Sequence, residues 1–378
     1  MSDPSAAPPR HLYVHVPFCA RRCSYCDFAI AVRRVVPVDE YVGALRAELA
    51  LRHGALAGRW ELDTLYFGGG TPSRLGGAGL AAAIAAVREL ATPSPGAELT
   101  IEANPDDVDE ASAAAWVAAG VNRLSLGVQS FAEEALAWMH RSHGAGRAAE
   151  AVRAARAAGI GDVSVDLIFA LPGGVPRTWE GDLEAALALE PDHVSLYGLT
   201  VEPRTPLGRW HERGEVREAE EERYEAEYLR AHATLAAAGF EHYEVSNYAR
   251  PGRRSRHNGS YWRGVPYAGV GPSAHAYDGR VRRWNVPAYA DWVRRLAECR
   301  TPTDGEEELT PANRAAETVY LGLRTIDGLT LEPGEAAIVA PWVRAGWGVV
   351  ADGVLRLTPL GWLRLDSMAA SLTAHRSR

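Results

Sequence analysis

A chain of 378 residues, 47% hydrophobic and 23% charged, has the composition of a globular protein and the length for one large domain with a small second one. Its formal net charge of −8 argues against nucleic-acid binding, which ordinarily shows a basic excess. No run approaches the roughly 20 apolar residues of a membrane span, which leaves only peripheral membrane contact, and the polar start has no apolar segment of a signal peptide.

Residues 1–10, rich in Pro and Ala, read as a disordered lead-in. From there, short apolar runs bounded by turn residues alternate with Ala-rich stretches of helical period. The runs Leu12–Val16, Thr64–Phe67, Leu99–Ala103, Arg123–Val128, Val163–Ala170 and Val194–Leu199 predict parallel strands. Between and after them, helices are predicted at Val38–His53, Ala78–Leu90, Asp109–Ala119, Arg147–Ala158, Thr178–Leu189 and Glu218–Ala238. Gly120, Gly159 and Gly239 stand where C-terminal caps belong. Six βα units in series predict an α/β fold: a partial, TIM-like (β/α)6 barrel over residues 11–239, with a doubly wound open sheet as the alternative.

The pattern breaks after Gly239. Residues 240–297 are rich in aromatics, Gly and Pro and read as loops and short strands packed on the barrel. Residues 298–308 are acidic and read as a linker opening a C-terminal module, 298–378. That module is predicted to hold helices at Pro311–Leu323 and Gly334–Ala340, a hairpin over Val350–Leu357 turning at Asp352 and Gly353, and a last helix over Pro359–Leu372, a winged-helix-like arrangement.

Three of the four cysteines, Cys19, Cys23 and Cys26, fall within eight residues, in a loop directly after the first strand. A disulfide framework would spread them along a small secreted chain; clustering points to a metal and to the cytoplasm. Cys299 stands alone and reads as a small, partly buried side chain. Three thiolates at C-x3-C-x2-C spacing can ligate three irons of a [4Fe–4S] cluster and leave the fourth open. A structural zinc would want a fourth Cys or His in register, and none follows. Arg21 and Arg22 lie inside the loop, where positive charge would favour a reduced cluster; a solvated turn explains them equally well.

The ends of barrel strands form a catalytic face. The second run ends in Gly68, Gly69, Gly70, Thr71 and Pro72, where absent Cβ atoms let backbone approach a ligand. Polar groups close the next three runs: Glu102, Gln129 and Asp166. Buried there, they need partners, which the amine, ribose and methionine groups of S-adenosylmethionine (SAM) can supply.

With Tyr-Val-His-Val-Pro-Phe-Cys, Phe-Gly-Gly-Gly-Thr-Pro, Ile-Glu-Ala-Asn-Pro, Leu-Gly-Val-Gln-Ser-Phe and Asp-Leu-Ile-Phe-Ala-Leu-Pro-Gly, the chain resembles the HemN/HemW branch of the radical SAM superfamily over nearly its whole length. In that superfamily SAM chelates the open iron, and one electron from the cluster breaks its S–C5′ bond. The resemblance implies SAM-site roles for Tyr13, Tyr25, Gly69, Gly70, Thr71, Glu102, Gln129, Arg141 and Asp166. It also separates two activities. The oxygen-independent coproporphyrinogen III oxidases extend the motif to C-x3-C-x2-C-x-C, whereas Phe28 fills that fourth position here. The heme chaperones of the branch share Asp-Phe after the third cysteine.

His257-Asn258-Gly259-Ser260-Tyr261-Trp262 matches the HNxxYW motif that the branch associates with heme. The resemblance therefore implies heme contacts for His257, Asn258, Tyr261 and Trp262; an aromatic-packed loop is the plainer reading of the same residues. Trp262, Tyr267 and Trp284 offer flat surface for a porphyrin, and Arg250, Arg253, Arg254 and Arg256 offer forks for its two propionates. The expectation is a cytoplasmic heme chaperone, monomer or homodimer, that passes heme to an acceptor protein, with no residue assigned to catalysis. Two alternatives stay open. One is a radical enzyme, either a coproporphyrinogen III oxidase or a HemN-like methyltransferase or cyclopropanase; the other is a partner-docking protein whose cluster controls assembly.

Overall fold

A computed structural model describes residues 8–377. Six parallel strands, β1 (His11–Val16), β2 (Trp60–Gly69), β3 (Ala91–Ala103), β4 (Arg123–Gln129), β5 (Asp162–Phe169) and β6 (His193–Gly198), follow one another in space in their chain order. A doubly wound sheet reverses its order at a switch point; this one does not, and the partial barrel holds. Helices α1 (Val38–His53), α2 (Gly76–Arg88), α3 (Glu110–Ala118), α4 (Arg147–Ala158) and α5 (Trp179–Ala188) make the five crossovers, and α6 (Glu221–Ala237) follows β6. Gly120, Gly159 and Gly239 follow three of them with φ of 100°, 101° and 85°, the left-handed conformation that glycine adopts without steric cost.

Period-two alternation divides each strand between two environments. Leu12, Val14 and Val16 of β1, Leu65 and Phe67 of β2, and Leu99 and Ile101 of β3 join one apolar core with the helices. The intervening residues form polar inner rows: Tyr13 is in register with Tyr66, and Tyr66 with Thr100. Glu102 is in register with Ser125, and Ser125 with Ser164.

Residues beyond 239 supply both edges of this sheet. Strands β7 (Glu241–Glu244) and β8 (Asn247–Ala249) extend it antiparallel past β6, and β9 (Ala268–Val270) lies parallel to β1, giving nine strands. Between these edges runs a short helix, α7 (Arg256–Trp262), where a loop was expected.

The acidic stretch expected as a linker is in part a strand. β10 (His275–Tyr277), β11 (Val281–Asn285) and β12 (Thr303–Glu308) form an antiparallel meander in which Glu306 and Glu307 face Arg283 and Arg282. Opposite charge across the pair makes a strand of a segment without apolar pattern. Helix α8 (Tyr289–Ala297) then packs on α1. Cys299 follows it with φ of 56°, exposed rather than partly buried.

The C-terminal module has its own core around Val319, Leu323, Leu355, Trp362 and Leu372. It comprises α9 (Pro311–Arg324), β13 (Leu329–Thr330), α10 (Ala336–Arg344), β14 (Gly348–Ala351), β15 (Val354–Leu357) and α11 (Leu365–Arg376). The helix expected over Pro359–Leu372 is broken after Trp362, and Arg364, at φ −121°, precedes α11.

Residues 1–7 of the expected disordered lead-in lie outside the described residues. Within the described part, the Pro9 carbonyl accepts from Trp60 Nε1 at 2.7 Å and Arg10 pairs with Asp63 at 2.6 Å. Among the described residues no helix is long and apolar enough to cross a membrane.

Candidate functional site

The cysteine loop is clamped at its base. Phe18–Cys19 pairs with Ala31–Val32, Ala31 N–H donates to Pro17 O at 2.7 Å, and Arg33 N–H donates to Cys19 O at 3.0 Å. Ser24 ties its middle to the barrel, donating from its N–H to Met139 O at 3.1 Å and accepting from Leu207 N–H at 2.8 Å. All three cysteines are free thiols lining one cavity of about 400 Å³ at the C-terminal end of the strands. Among the described residues no group of three His, Cys, Asp or Glu converges on a single point. A cubane takes one thiolate at each of three irons, so its ligands spread farther apart than those of one ion.

The cavity gathers Tyr25, Gly69, Gly70, Thr71, Glu102, Gln129, Arg141 and Asp166 from six separate stretches of chain. Tyr13 is not among its lining residues. It is half-buried in the barrel, its hydroxyl 3.1 Å from His15 Nδ1 and its ring stacked on Tyr66 at 6.1 Å. Asp166 sits within β5 rather than at its end, and Ser125 Oγ donates to both its oxygens at 3.1 Å. Asn104, Ser125, Tyr197 and Glu202 also line the cavity. Of these, Ser125 shares the inner-row parity of Glu102, a signal present in the sequence.

The glycine triplet leaves no room for side chains. A Cβ on Gly70 would fall 2.6 Å from Pro17 O and 3.1 Å from Cys19 Sγ, and Gly69 has φ +114°. Its N–H donates to Glu102 Oε2 at 3.0 Å. Arg141 Nη1 points at Cys23 Sγ from 3.6 Å. Burial pushes Cys26 up to about 11 and raises Cys19, with Thr71 Oγ1 at 3.4 Å opposing the rise in Cys19. Burial also lifts the Glu102 carboxyl to about 7, against hydrogen bonds from Tyr66 and Gly69. Asp166 is raised by burial, with the Ser195, Ser125 and Ser164 hydroxyls opposing. Two half-buried carboxyls beside a glycine cradle and a loop of three thiols are acceptors suited to a polar, positively charged ligand.

A profile of the Radical SAM superfamily matches residues 13–186. The chain is 40% identical to a heme chaperone HemW of Mycobacterium tuberculosis over 98% of its own length and 96% of that protein. The chain belongs to the HemW family of radical SAM proteins. The HemW of Bacillus subtilis is 35% identical, over 84% of each chain. Among solved structures, the coproporphyrinogen III oxidase HemN of Escherichia coli superposes with a TM-score of 0.83 at 23% identity, covering 98% of this chain and 92% of that one. At that identity the likeness is one of fold.

The motif that the HemW resemblance singled out forms α7, capped by Ser255, whose side chain accepts from Asn258 N–H at 3.3 Å. The helix closes the barrel from the N-terminal end. Glu98, at the start of the polar inner row of β3, accepts from the N–H groups of Arg256 and His257 at 2.8 and 3.0 Å. His257 is fully buried with both ring nitrogens engaged: Nδ1 lies 2.7 Å from Thr64 Oγ1 and Nε2 2.7 Å from the Tyr261 hydroxyl. Burial lowers its pKa to about 3. Asn258 is half-buried, while Tyr261 and Trp262 reach the wall of a second, apolar groove.

The arginines expected to grip propionates have other partners. Arg250 donates to Pro191 O and lies over Phe240, Arg254 pairs with Glu241 at 2.6 Å, and Arg256 donates to Gly96 O at 2.6 Å. Arg253 lies 3.8 Å from Asp192. Hydrogen bonding within the chain, more than proximity in sequence, decides where these forks point. Phe28, in place of a fourth cysteine, is 58% exposed at the cavity rim.

Proposed function

We propose that this chain is a cytoplasmic heme chaperone: it binds heme, holds a [4Fe–4S] cluster on Cys19, Cys23 and Cys26 with SAM beside it, and passes heme to an acceptor protein. The observation that carries this is the 40% identity to a heme chaperone over nearly the whole of both chains. Phe28 in the position of a fourth cysteine supports the chaperone over the oxidase.

When bound, the cluster and SAM supply one-electron chemistry. The chain's own residues define how they are held. Gly69 and Gly70 open the space beside Cys19, and Arg141 sets a positive charge against Cys23. Glu102 and Asp166 offer carboxylates to an ammonium and to hydroxyls.

The intact cavity favours a second reading, a radical enzyme acting on a porphyrinogen or another metabolite. Anaerobic reconstitution, heme titration with and without SAM, and an assay for 5′-deoxyadenosine separate the two. Heme binding without SAM turnover is expected. Turnover of coproporphyrinogen III with no heme binding would overturn the chaperone.

A further inference from the structure

We propose that heme is seated in the groove between α7, the β10–β11 hairpin and helices α9 and α11, with the imidazole of His275 as an iron ligand. The inference rests on the heme-carrying reading above and gives that cargo a place in the fold.

The groove encloses about 850 Å³ and is walled by Tyr261, Trp262, Tyr267 and Tyr320 over a floor of small residues, Ala316 and Ala369 among them. Apolar walls with few polar groups are the usual make-up of a site for a flat organic ligand. Small residues on two helices leave an open slot, and aromatic rings give a porphyrin faces to stack on.

Two imidazoles stand close to this slot in sequence, and their situations differ. His257 faces into the barrel with both nitrogens occupied, so ligating iron would dismantle its bonds to Thr64 and Tyr261. His275 lines the groove and is exposed, and among the described residues its ring nitrogens take no hydrogen-bond partner. Its ring is held against Trp284, centroids 5.9 Å apart and 26° from parallel.

Arg282 completes the site. Its guanidinium lines the same groove, lies 5.7 Å from the centroid of Tyr277, and pairs with Glu317 at 3.0 Å. The fork already holds a carboxylate, and a heme propionate can take the place of Glu317 there. Trp262 also borders the groove, with the Arg324 guanidinium 4.2 Å from its ring centroid and, among the described residues, no partner for its buried Nε1. In this arrangement the HNxxYW helix meets heme through Tyr261 and Trp262, while His257 fixes the helix to the barrel.

The test is hemin titration of the full-length, cluster-reconstituted chain, followed by visible absorption. His275→Ala, at an exposed site, should weaken binding by about tenfold or more and shift the Soret band, and added imidazole should restore the band. Ala370→Trp, which places a large side chain on the exposed lip, should also weaken binding. His211→Ala, on an exposed helix elsewhere, should match the wild type. Wild-type affinity and spectrum in both groove variants would overturn the placement while leaving the chaperone standing. A wild-type chain that takes up no heme would overturn both.

Discussion

The ring of Tyr66 lies against His257, centroids 4.9 Å apart and 24° from parallel, while its hydroxyl donates to Glu102 at 2.7 Å. Glu102 in turn accepts from Gly69 N–H in the glycine cradle. One side chain thus spans the barrel interior between the motif helix and the cavity that holds the cysteines. The polar inner row of β1, β2 and β3 makes this possible, because every second residue faces inward and needs a partner there.

The Glu102 carboxyl titrates near 7 because burial disfavours its charged form. Below that pH it is protonated and offers little to the ammonium of SAM; above it, the carboxylate forms. SAM affinity measured by calorimetry should therefore rise as pH climbs through about 7. Glu102→Gln should bind more weakly at high pH and lose this dependence.

His257 is shifted the other way from Glu102, below its ordinary value. Its folded pKa, about 3, lies below the ordinary value of 6.5, so between the two the unfolded chain binds a proton that the folded chain does not. Stability contributed here is complete above 6.5 and is lost as pH falls toward 3. Urea unfolding of His257→Gln should show a shallower loss of stability than wild type across that window.

Glu48, fully buried in α1, joins elements far apart in sequence. It accepts from Gly271 N–H at 2.8 Å, Asn285 Nδ2 at 2.6 Å and Trp292 Nε1 at 2.8 Å, and pairs with Arg52 at 3.2 Å. Glu48→Ala leaves the Gly271 and Trp292 N–H groups without an acceptor, while Asn285 Nδ2 keeps Gly271 O and Arg52 keeps Asn285 Oδ1 and Thr303 Oγ1; it should cost about 3 kcal/mol in urea unfolding. Glu48→Gln, which keeps an acceptor, should cost less.

Gly70 admits no side chain, since a Cβ would meet Pro17 O at 2.6 Å. Gly70→Val should displace the base of the cysteine loop, and iron bound per chain after anaerobic reconstitution should fall while far-ultraviolet circular dichroism stays unchanged.

Much of this architecture was legible in the residues. Val38–His53 and Arg147–Ala158 carry a helical period over their full length, and the structure keeps both ranges. The cysteine loop, the glycine triplet and Glu102 converge because all lie at strand ends, which a barrel brings to one mouth. What escaped were features set by pairing across long sequence separations. Thr303–Glu308 has no apolar alternation, and only its arginine-bearing neighbour makes it a strand. The seven residues of α7 are too few to show a period, and the acceptor for their first N–H groups, Glu98, is some 159 positions away. Arg254 and Arg256, adjacent to the motif, gave no sign that Glu241 and Gly96 O would claim them.

A SAM site beside the cluster requires that three thiols leave one iron open. Mössbauer spectra of anaerobically reconstituted protein test it directly. A cubane signal is expected in the wild type, with one iron site shifted on adding SAM, and its loss in a variant with Cys19, Cys23 and Cys26 replaced by Ala. A cubane that survives those substitutions, or one whose irons all ignore SAM, would contradict it.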